Sequence, residues 1–340
     1  FLPCMATVSR PRLHITSTPP KARACNTRRC RYRCLAMADS SSEPELPNYR
    51  TLRELGAGSG VSAVIINASL WPAQPSPEAF VAAIDGGVTL FECSEVSLPA
   101  LAGYLVQWAT SDAAALPGAK TPSLALRVKV EATSANPGEA VGDALAAASV
   151  RTSGASAAVA VLVLELPSDL TTPEALRGVA AAVDKANLDG FCPLNVGIAG
   201  VRSPEGVKAF ADALVQCKLA TWSVPYGVAS PSADADKTLE ACVNEGVTPV
   251  SESPFRGVAG AGADPSMFKL LELVGAMVGG NPQKTAAQIA LGYPIARGAA
   301  VRADVTADDG RGAWEAAGAM SVSLGDEEMR VLEEKARASS

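Results

Sequence analysis

Short runs rich in Val, Ile, Leu and Thr alternate with Ala-rich stretches of helical periodicity through most of the chain, the pattern of βα units laid around a parallel sheet. Eight runs read as strands: Ala63 to Asn67, Thr89 to Ser94, Ala125 to Glu131, Ala158 to Leu166, Pro193 to Ile198, Thr221 to Pro225, Thr248 to Ser251 and Ala299 to Arg302. Between them, Pro77 to Asp85, Pro173 to Ala186, Pro204 to Cys217, Asp236 to Glu245 and Pro282 to Arg297 carry helical spacing. Each of these except Asp236 to Glu245 opens on a proline, which is favoured in a first helical turn because its missing N–H would be unpaired there anyway.

Eight such units predict a (β/α)8 barrel, with a hairpin from Tyr49 to Arg53, returning through Val61, to plug the barrel floor. A doubly wound sheet is the competing arrangement, but its dinucleotide signature is missing. Gly56-Ala57-Gly58-Ser59-Gly60 follows no buried strand and has no third glycine at the right spacing, so it reads as a hairpin turn. The glycine-rich run Gly257 to Gly262 follows the seventh strand, where a mobile cover over a ligand or a plain flexible loop is expected.

Composition divides the chain. Residues 1–38 hold eight basic residues and no Asp or Glu, with Ser and Thr interspersed, the composition of an organelle transit peptide. The expectation is a chloroplast leader, with a mitochondrial one as the alternative. An acidic linker (39–48) and the barrel (49–340) come next. Without the leader, 21 basic residues face 35 acidic ones, a net charge of −14. So acidic a body is a poor nucleic-acid binder, and small molecules or proteins are the expected partners. The longest apolar run, Ala157 to Leu164, is far short of the roughly 20 residues that cross a bilayer.

Titratable chemistry is sparse. The single histidine, His14, lies in the leader, so the body has no imidazole for a Ser-His-Asp triad, a histidine base or a His-ligated metal. The body cysteines Cys93, Cys192, Cys217 and Cys242 show no paired spacing, and no metal site is expected. Carboxylates stand out instead at Gly86 to Ser97, GGVTLFECSEVS, where Glu92 and Glu95 end a buried strand on the face at which barrels keep their chemistry.

This stretch resembles the aldo-keto reductase motif G-[IV]-x-x-[FL]-D-T-A-x-x-Y. Three further segments resemble the same family in the same order: Tyr49 to Leu52 its opening hairpin, Val250-Ser251-Glu252-Ser253-Pro254-Phe255 its late Y-S-P-L, and Lys284-Thr285-Ala286-Ala287-Gln288-Ile289-Ala290-Leu291 its K-[ST]-x-A-Q-[IV]-A-L helix. The resemblance implies an NADPH-dependent carbonyl reductase in which a Tyr, tuned by Lys and His, protonates the alkoxide while an Asp pairs with the Lys. Carried over by position, the Asp matches Glu92, the Lys matches Lys129, the Tyr matches Ser97 and the His matches Glu165. A Glu92–Lys129 ion pair is therefore expected. Ser97 is a far weaker acid than a phenol, a loss of about 10²- to 10⁴-fold in acid catalysis. A desolvated Glu165 could stay protonated and donate in its place, or ionise and pair.

The same resemblance assigns the cofactor contacts. Ala199-Gly200 stand where the family's Ser-Asn pair holds the nicotinamide amide, and Ser223 where a Gln does. Tyr226 matches the aromatic that stacks on the nicotinamide. Ser253 and Arg256 are expected at the pyrophosphate, and Arg302 or Arg311 at the 2′-phosphate. Three functions compete: an altered NADPH-dependent reductase using Glu165 as acid, a non-catalytic barrel serving protein interaction or nucleotide sensing, and an aldolase-like barrel with Lys129 as Schiff-base nucleophile.

Overall fold

The computed structural model describes residues 61–339, all within the unit Pro47–Ser340, apart from 74, 117–118, 120, 132–135, 153–154, 156–157, 191–192, 230–232, 260–262, 280–282 and 307–309. The leader, the acidic linker, the hairpin from Tyr49, the Gly56 to Gly60 turn and the end of the Gly257 to Gly262 run lie outside the described residues.

Eight parallel strands close into a barrel in sequence order, β1 (Val64–Asn67), β2 (Leu90–Cys93), β3 (Ser123–Lys129), β4 (Val159–Glu165), β5 (Asn195–Ala199), β6 (Lys218–Pro225), β7 (Thr248–Glu252) and β8 (Ala300–Asp304), and β8 pairs back onto β1. This is the (β/α)8 architecture. Around it run α1 (Pro77–Asp85), α2 (Leu98–Ala109), α3 (Pro137–Arg151), α4 (Pro173–Leu188), α5 (Pro204–Ala213), α6 (Ala233–Glu245), α7 (Pro265–Val278), α8 (Ala286–Ala296), α9 (Arg311–Gly318) and α10 (Asp326–Ser339).

Helix starts share one recipe. Ser76, Asn136, Thr172, Ser203 and Asp264 each accept a backbone N–H through the side chain, and a proline comes immediately after. At α8 the cap is reciprocal: Thr285 accepts from Gln288 N–H, and the Gln288 side chain accepts from Thr285 N–H at 3.1 Å. The same segment docks α9 and the turn after it. Thr285 Oγ1 bonds Glu315 Oε1 at 2.7 Å, Gln288 Nε2 bonds the Glu315 carbonyl at 3.2 Å, and Lys284 Nζ bonds Ser321 Oγ at 2.6 Å.

Helix α5 stops at Ala213, four residues before the helical pattern runs out, because Leu214 turns to an extended backbone and a buried carboxylate captures the next three residues. Asp184 of α4 accepts the backbone N–H groups of Val215, Gln216 and Cys217 at 2.6, 3.1 and 2.9 Å. Burial would raise its pKa, but these three donors outweigh that and hold it below the ordinary carboxylate range. The stability it confers is therefore present above the ordinary Asp range and lost as pH falls through the depressed value. Asp184→Ala is expected to cost about 2–3 kcal/mol in chemical denaturation at neutral pH, and less in acid. An unchanged denaturation midpoint would mean the clasp is not formed.

Strand alternation sorts the core into two shells. Outward residues such as Ile66, Phe91, Leu126, Leu162, Leu164 and Trp222 form the large cluster under the helices. Inward residues Ile65, Leu90, Ala125, Val161, Val163, Ala199, Val250 and Ala300 form a smaller cluster filling the lumen. Gly197 lets β5 and β6 close at this level, since a Cβ there would lie 2.2 Å from Thr221 Oγ1.

Candidate functional site

Two residues above each apolar inward position, on five of the strands, the lumen turns charged. Leu90 is succeeded by Glu92, Ala125 by Arg127, Val163 by Glu165, Val250 by Glu252 and Ala300 by Arg302. The period of two carries each of them to the same face one layer nearer the C-terminal mouth, where barrel enzymes place their chemistry.

Arg127 is the hub. Its Nε donates to Glu165 Oε2 at 2.7 Å, and its Nη1 to Glu252 Oε1 at 2.6 Å and Glu92 Oε1 at 3.1 Å. The planar guanidinium, with five N–H donors, serves β2, β4 and β7 at once, a task one ammonium cannot perform. Arg302 completes the cluster: its Nε lies 2.8 Å from Glu92 Oε1 and its Nη1 3.6 Å from Glu252 Oε1. The Nε is near its charge partner but its N–H is not aimed at it, leaving a buried donor without a hydrogen bond. Glu92 is 4% exposed and Glu252 7%, whereas the Glu165 side chain, 38% exposed, borders the mouth.

The electrostatics stem from that count of charges. Burial raises the Glu92 pKa above the ordinary carboxylate range; Arg302 and Arg127 pull it down, Glu252 pushes it up, and burial prevails. Burial opposes the Arg127 charge too, but Glu92 and Glu252 overcome it and raise its pKa. These directions pull against each other at the Glu92–Arg127 contact. A charged Arg127 beside a Glu92 drawn toward neutrality is the state the geometry favours, because Arg127 keeps two shorter bonds, to Glu165 and Glu252, whatever Glu92 does.

Several expectations are corrected by these positions. Glu92 pairs with Arg127 and Arg302, not with Lys129, which ends β3 exposed at the rim beside Glu165 in the strand register, with no ion pair among the described residues. Arg127 wins because it enters the lumen one layer deeper. Arg302 turns inward to the carboxylates rather than out toward a 2′-phosphate. Tyr226 belongs to the outer shell: it is 1% exposed, its ring stacks on Tyr293 at 6.0 Å, and its hydroxyl accepts from Arg297 Nε at 3.3 Å. It cannot face a nicotinamide in the lumen.

Ser97 is fully buried at the start of α2, and its hydroxyl is spent within a turn, accepting Ser94 N–H at 3.2 Å and meeting Ser94 Oγ at 3.4 Å. Ser223 shares the inward face of β6 with Thr221 and is 2% exposed. Gly200, after β5, holds φ +88°, and a Cβ there would sit 2.3 Å from the Leu166 carbonyl oxygen. Glu95 is bonded by Arg151, with Nη2 to Oε1 at 2.9 Å.

The rim after β7 keeps a different character. Ser253 is exposed with φ 55°, the one non-glycine residue with positive φ among the described residues, and its carbonyl accepts Arg256 N–H at 2.9 Å. Such strain persists where the surroundings over-determine it, and it clusters at ligand sites. Arg256 is exposed, with no ion pair among the described residues. A cavity of about 180 Å³ lies between the ends of β3 and β4 and helices α3 and α4, lined by Val130, Glu131, Val141, Leu166, Asp169 and Val179. Among the described residues no group of His, Cys, Asp and Glu is arranged to hold a metal, and no helix is long and apolar enough to cross a membrane.

Sequence alone did not single out Arg127 or Glu252 as site residues. The signal for Arg127 was its parity with Lys129 in an otherwise apolar strand. For Glu252 it was its place at the Tyr of the Y-S-P-L pattern.

No protein-family model matches the chain, and no curated protein matches it. Solved structures do. An aldo-keto reductase from Klebsiella pneumoniae in complex with NADPH superposes with a TM-score of 0.57 at 19% identity, over 81% of this chain and 91% of that one. A thermostable aldo-keto reductase, Tm1743, in complex with the inhibitor epalrestat gives 0.58 at 17% identity, over 83% and 98%. At these identities the likeness is one of fold.

Proposed function

We propose that this chain is a non-catalytic barrel of the aldo-keto reductase type that senses a nicotinamide dinucleotide through its phosphate end. The observation that carries the reading is the Arg127 hub, which ties up the carboxylates at the positions of the family's Asp and His. Glu165 accepts a guanidinium N–H and is held as an acceptor, the wrong role for a proton donor to a developing alkoxide. Ser97 is buried in its own turn. No positioned acid remains among the family-matched residues.

The fit to NADPH is divided. The nicotinamide end does not fit: Ala199 and Gly200 lack the amide-binding side chains, Ser223 is buried, and Tyr226 lies in the outer shell. Hydride transfer therefore has no held nicotinamide to start from. The phosphate end fits better, since strained Ser253 and Arg256, which has no ion pair among the described residues, stand exposed on the rim after β7. An altered reductase and a Lys129 Schiff base find less support, because among the described residues Lys129 has no carboxylate partner of the kind either chemistry would use to tune it.

The test is a titration of the barrel with NADPH, monitored by tryptophan fluorescence, alongside an assay with a simple aldehyde. The expected result is saturable quenching, weakened about tenfold or more in Arg256→Ala, with no aldehyde reduction. Aldehyde turnover that Lys129→Met abolishes would overturn the non-catalytic reading, and an absence of saturable binding at millimolar NADPH would overturn the sensing one. The basic leader carries the companion proposal of chloroplast import, which a fluorescent fusion of residues 1–48 would refute by remaining outside the plastid.

A further inference from the structure

The lumen cluster holds three carboxylates against two guanidiniums at separations of 2.6 to 3.6 Å, with Glu92 and Glu252 out of solvent and Glu165 at the mouth. A carboxylate buried this deeply is expensive to keep ionised, and proteins relieve the cost by taking up a proton. The three carboxylates are not equally held. Glu252 and Glu165 accept the two shorter hydrogen bonds from Arg127, at 2.6 and 2.7 Å, while Glu92 accepts the longest, at 3.1 Å. Its second guanidinium contact, to Arg302 Nε, is close but misdirected. Glu92 is also the most deeply buried of the three.

We propose that this cluster is a proton-binding site: Glu92 carries one proton in the folded barrel, bringing three carboxylates and two guanidiniums to charge balance, and losing that proton at higher pH loosens the strand ends around the mouth. The inference stands apart from the nucleotide reading, since it needs no ligand.

The groups facing Glu92 from every side agree with it. From β1, Asn67 is neutral and its Nδ2 donates to Asp304 Oδ1 of β8 at 2.6 Å, so no further cation comes from that flank. From β3 comes Arg127, with Lys129 directed to the exposed rim; from β7 comes Glu252, and from β8 Arg302. Glu165 of β4 reaches the cluster through Arg127. On β2 itself, Cys93 turns outward, its thiol bonded to the Ala125 carbonyl. Burial moves the Glu92 pKa upward against the pull of Arg302 and Arg127, and Glu252 adds to the rise.

The sign is fixed by linkage. A carboxyl whose pKa is higher in the folded state binds an extra proton there, so stability falls as pH rises from the ordinary carboxylate range through the raised value, and levels off beyond it. Within that window the unfolding equilibrium constant climbs toward tenfold per pH unit, the slope of one proton. The experiment is a set of chemical denaturation curves over pH for the full chain and for Glu92→Gln. The expected result is that this rise is present in the wild type and absent from the variant, which matches or exceeds the wild type in stability at the alkaline end. Parallel profiles would overturn the proposal.

Infrared spectroscopy of the wild type decides the matter even if the variant fails to fold. A carboxylic-acid carbonyl band is expected at neutral pH, retained in Glu165→Gln and lost on alkaline titration. Its absence from the folded wild type at neutral pH would also overturn the proposal.

Discussion

Arg127→Met lowers the stability of the barrel by about 3–5 kcal/mol, the cost of breaking a buried ion cluster by removing one side. Methionine fills much of the same volume, so little of the loss comes from a cavity. The damage is electrostatic: Glu92, Glu165 and Glu252 would be left with Arg302 alone, which holds Glu92 at 2.8 Å without a directed N–H and Glu252 only at 3.6 Å. Arg127→Lys restores a charge but not the fork, and is expected to recover only part of the loss. If Glu92→Gln and Glu252→Gln are added to Arg127→Met, much of the stability should return, because the buried charge that Arg127 leaves behind on Glu252 is then a neutral amide and position 92 can no longer ionise. Urea denaturation measures all of these. A cost below about 1 kcal/mol for Arg127→Met would show the cluster to be solvated, as surface pairs are.

The second large effect falls at Gly200. Gly200→Asn places at this position the residue that aldo-keto reductases use for the nicotinamide amide, yet it is expected to destabilise by about 2–4 kcal/mol. Asn tolerates positive φ better than most residues, so the φ of +88° contributes only part of the cost. The rest is steric, since the new Cβ would fall 2.3 Å from the Leu166 carbonyl oxygen. That carbonyl has little freedom to retreat, because the Leu166 N–H is bonded to the Ala199 carbonyl at 2.9 Å. Thermal denaturation of the variant checks this, and an unchanged melting temperature would count against the backbone placement. The nicotinamide grip is thus opposed by the backbone as well as by the missing side chains.

The barrel could be read from sequence because its signal is periodic and local. All eight strand candidates correspond to strands, and α1 matches Pro77 to Asp85 residue for residue, since Ser76 and Pro77 mark its start chemically. Boundaries slipped where tertiary contacts decide them, as at Ala213, where Asp184 ends a helix whose apolar spacing continues. The site was only half legible. Alignment by family motif leads to Lys129, the residue at the matching position. What governs the lumen is depth along the strand, and depth favoured Arg127, two residues earlier. Tyr226 failed for the related reason that a single step in parity moves a side chain from the lumen to the outer shell. Arg302 was visible as a cation, but its partners on β2 and β7 are distant in sequence and become neighbours only when the barrel closes.

The K-T-x-A-Q segment has a consequence for how such chains evolve. Its Lys284, Thr285 and Gln288 grip Ser321 and Glu315 and hold α9 and the turn after it in place, a duty unconnected with what happens at the mouth. Selection for a foldable chain is enough to retain those letters whether or not the mouth turns over a substrate. A lineage can therefore lose its chemistry while still displaying its most recognisable signature, and the descendants best identified by that helix are not thereby the ones still at work as enzymes.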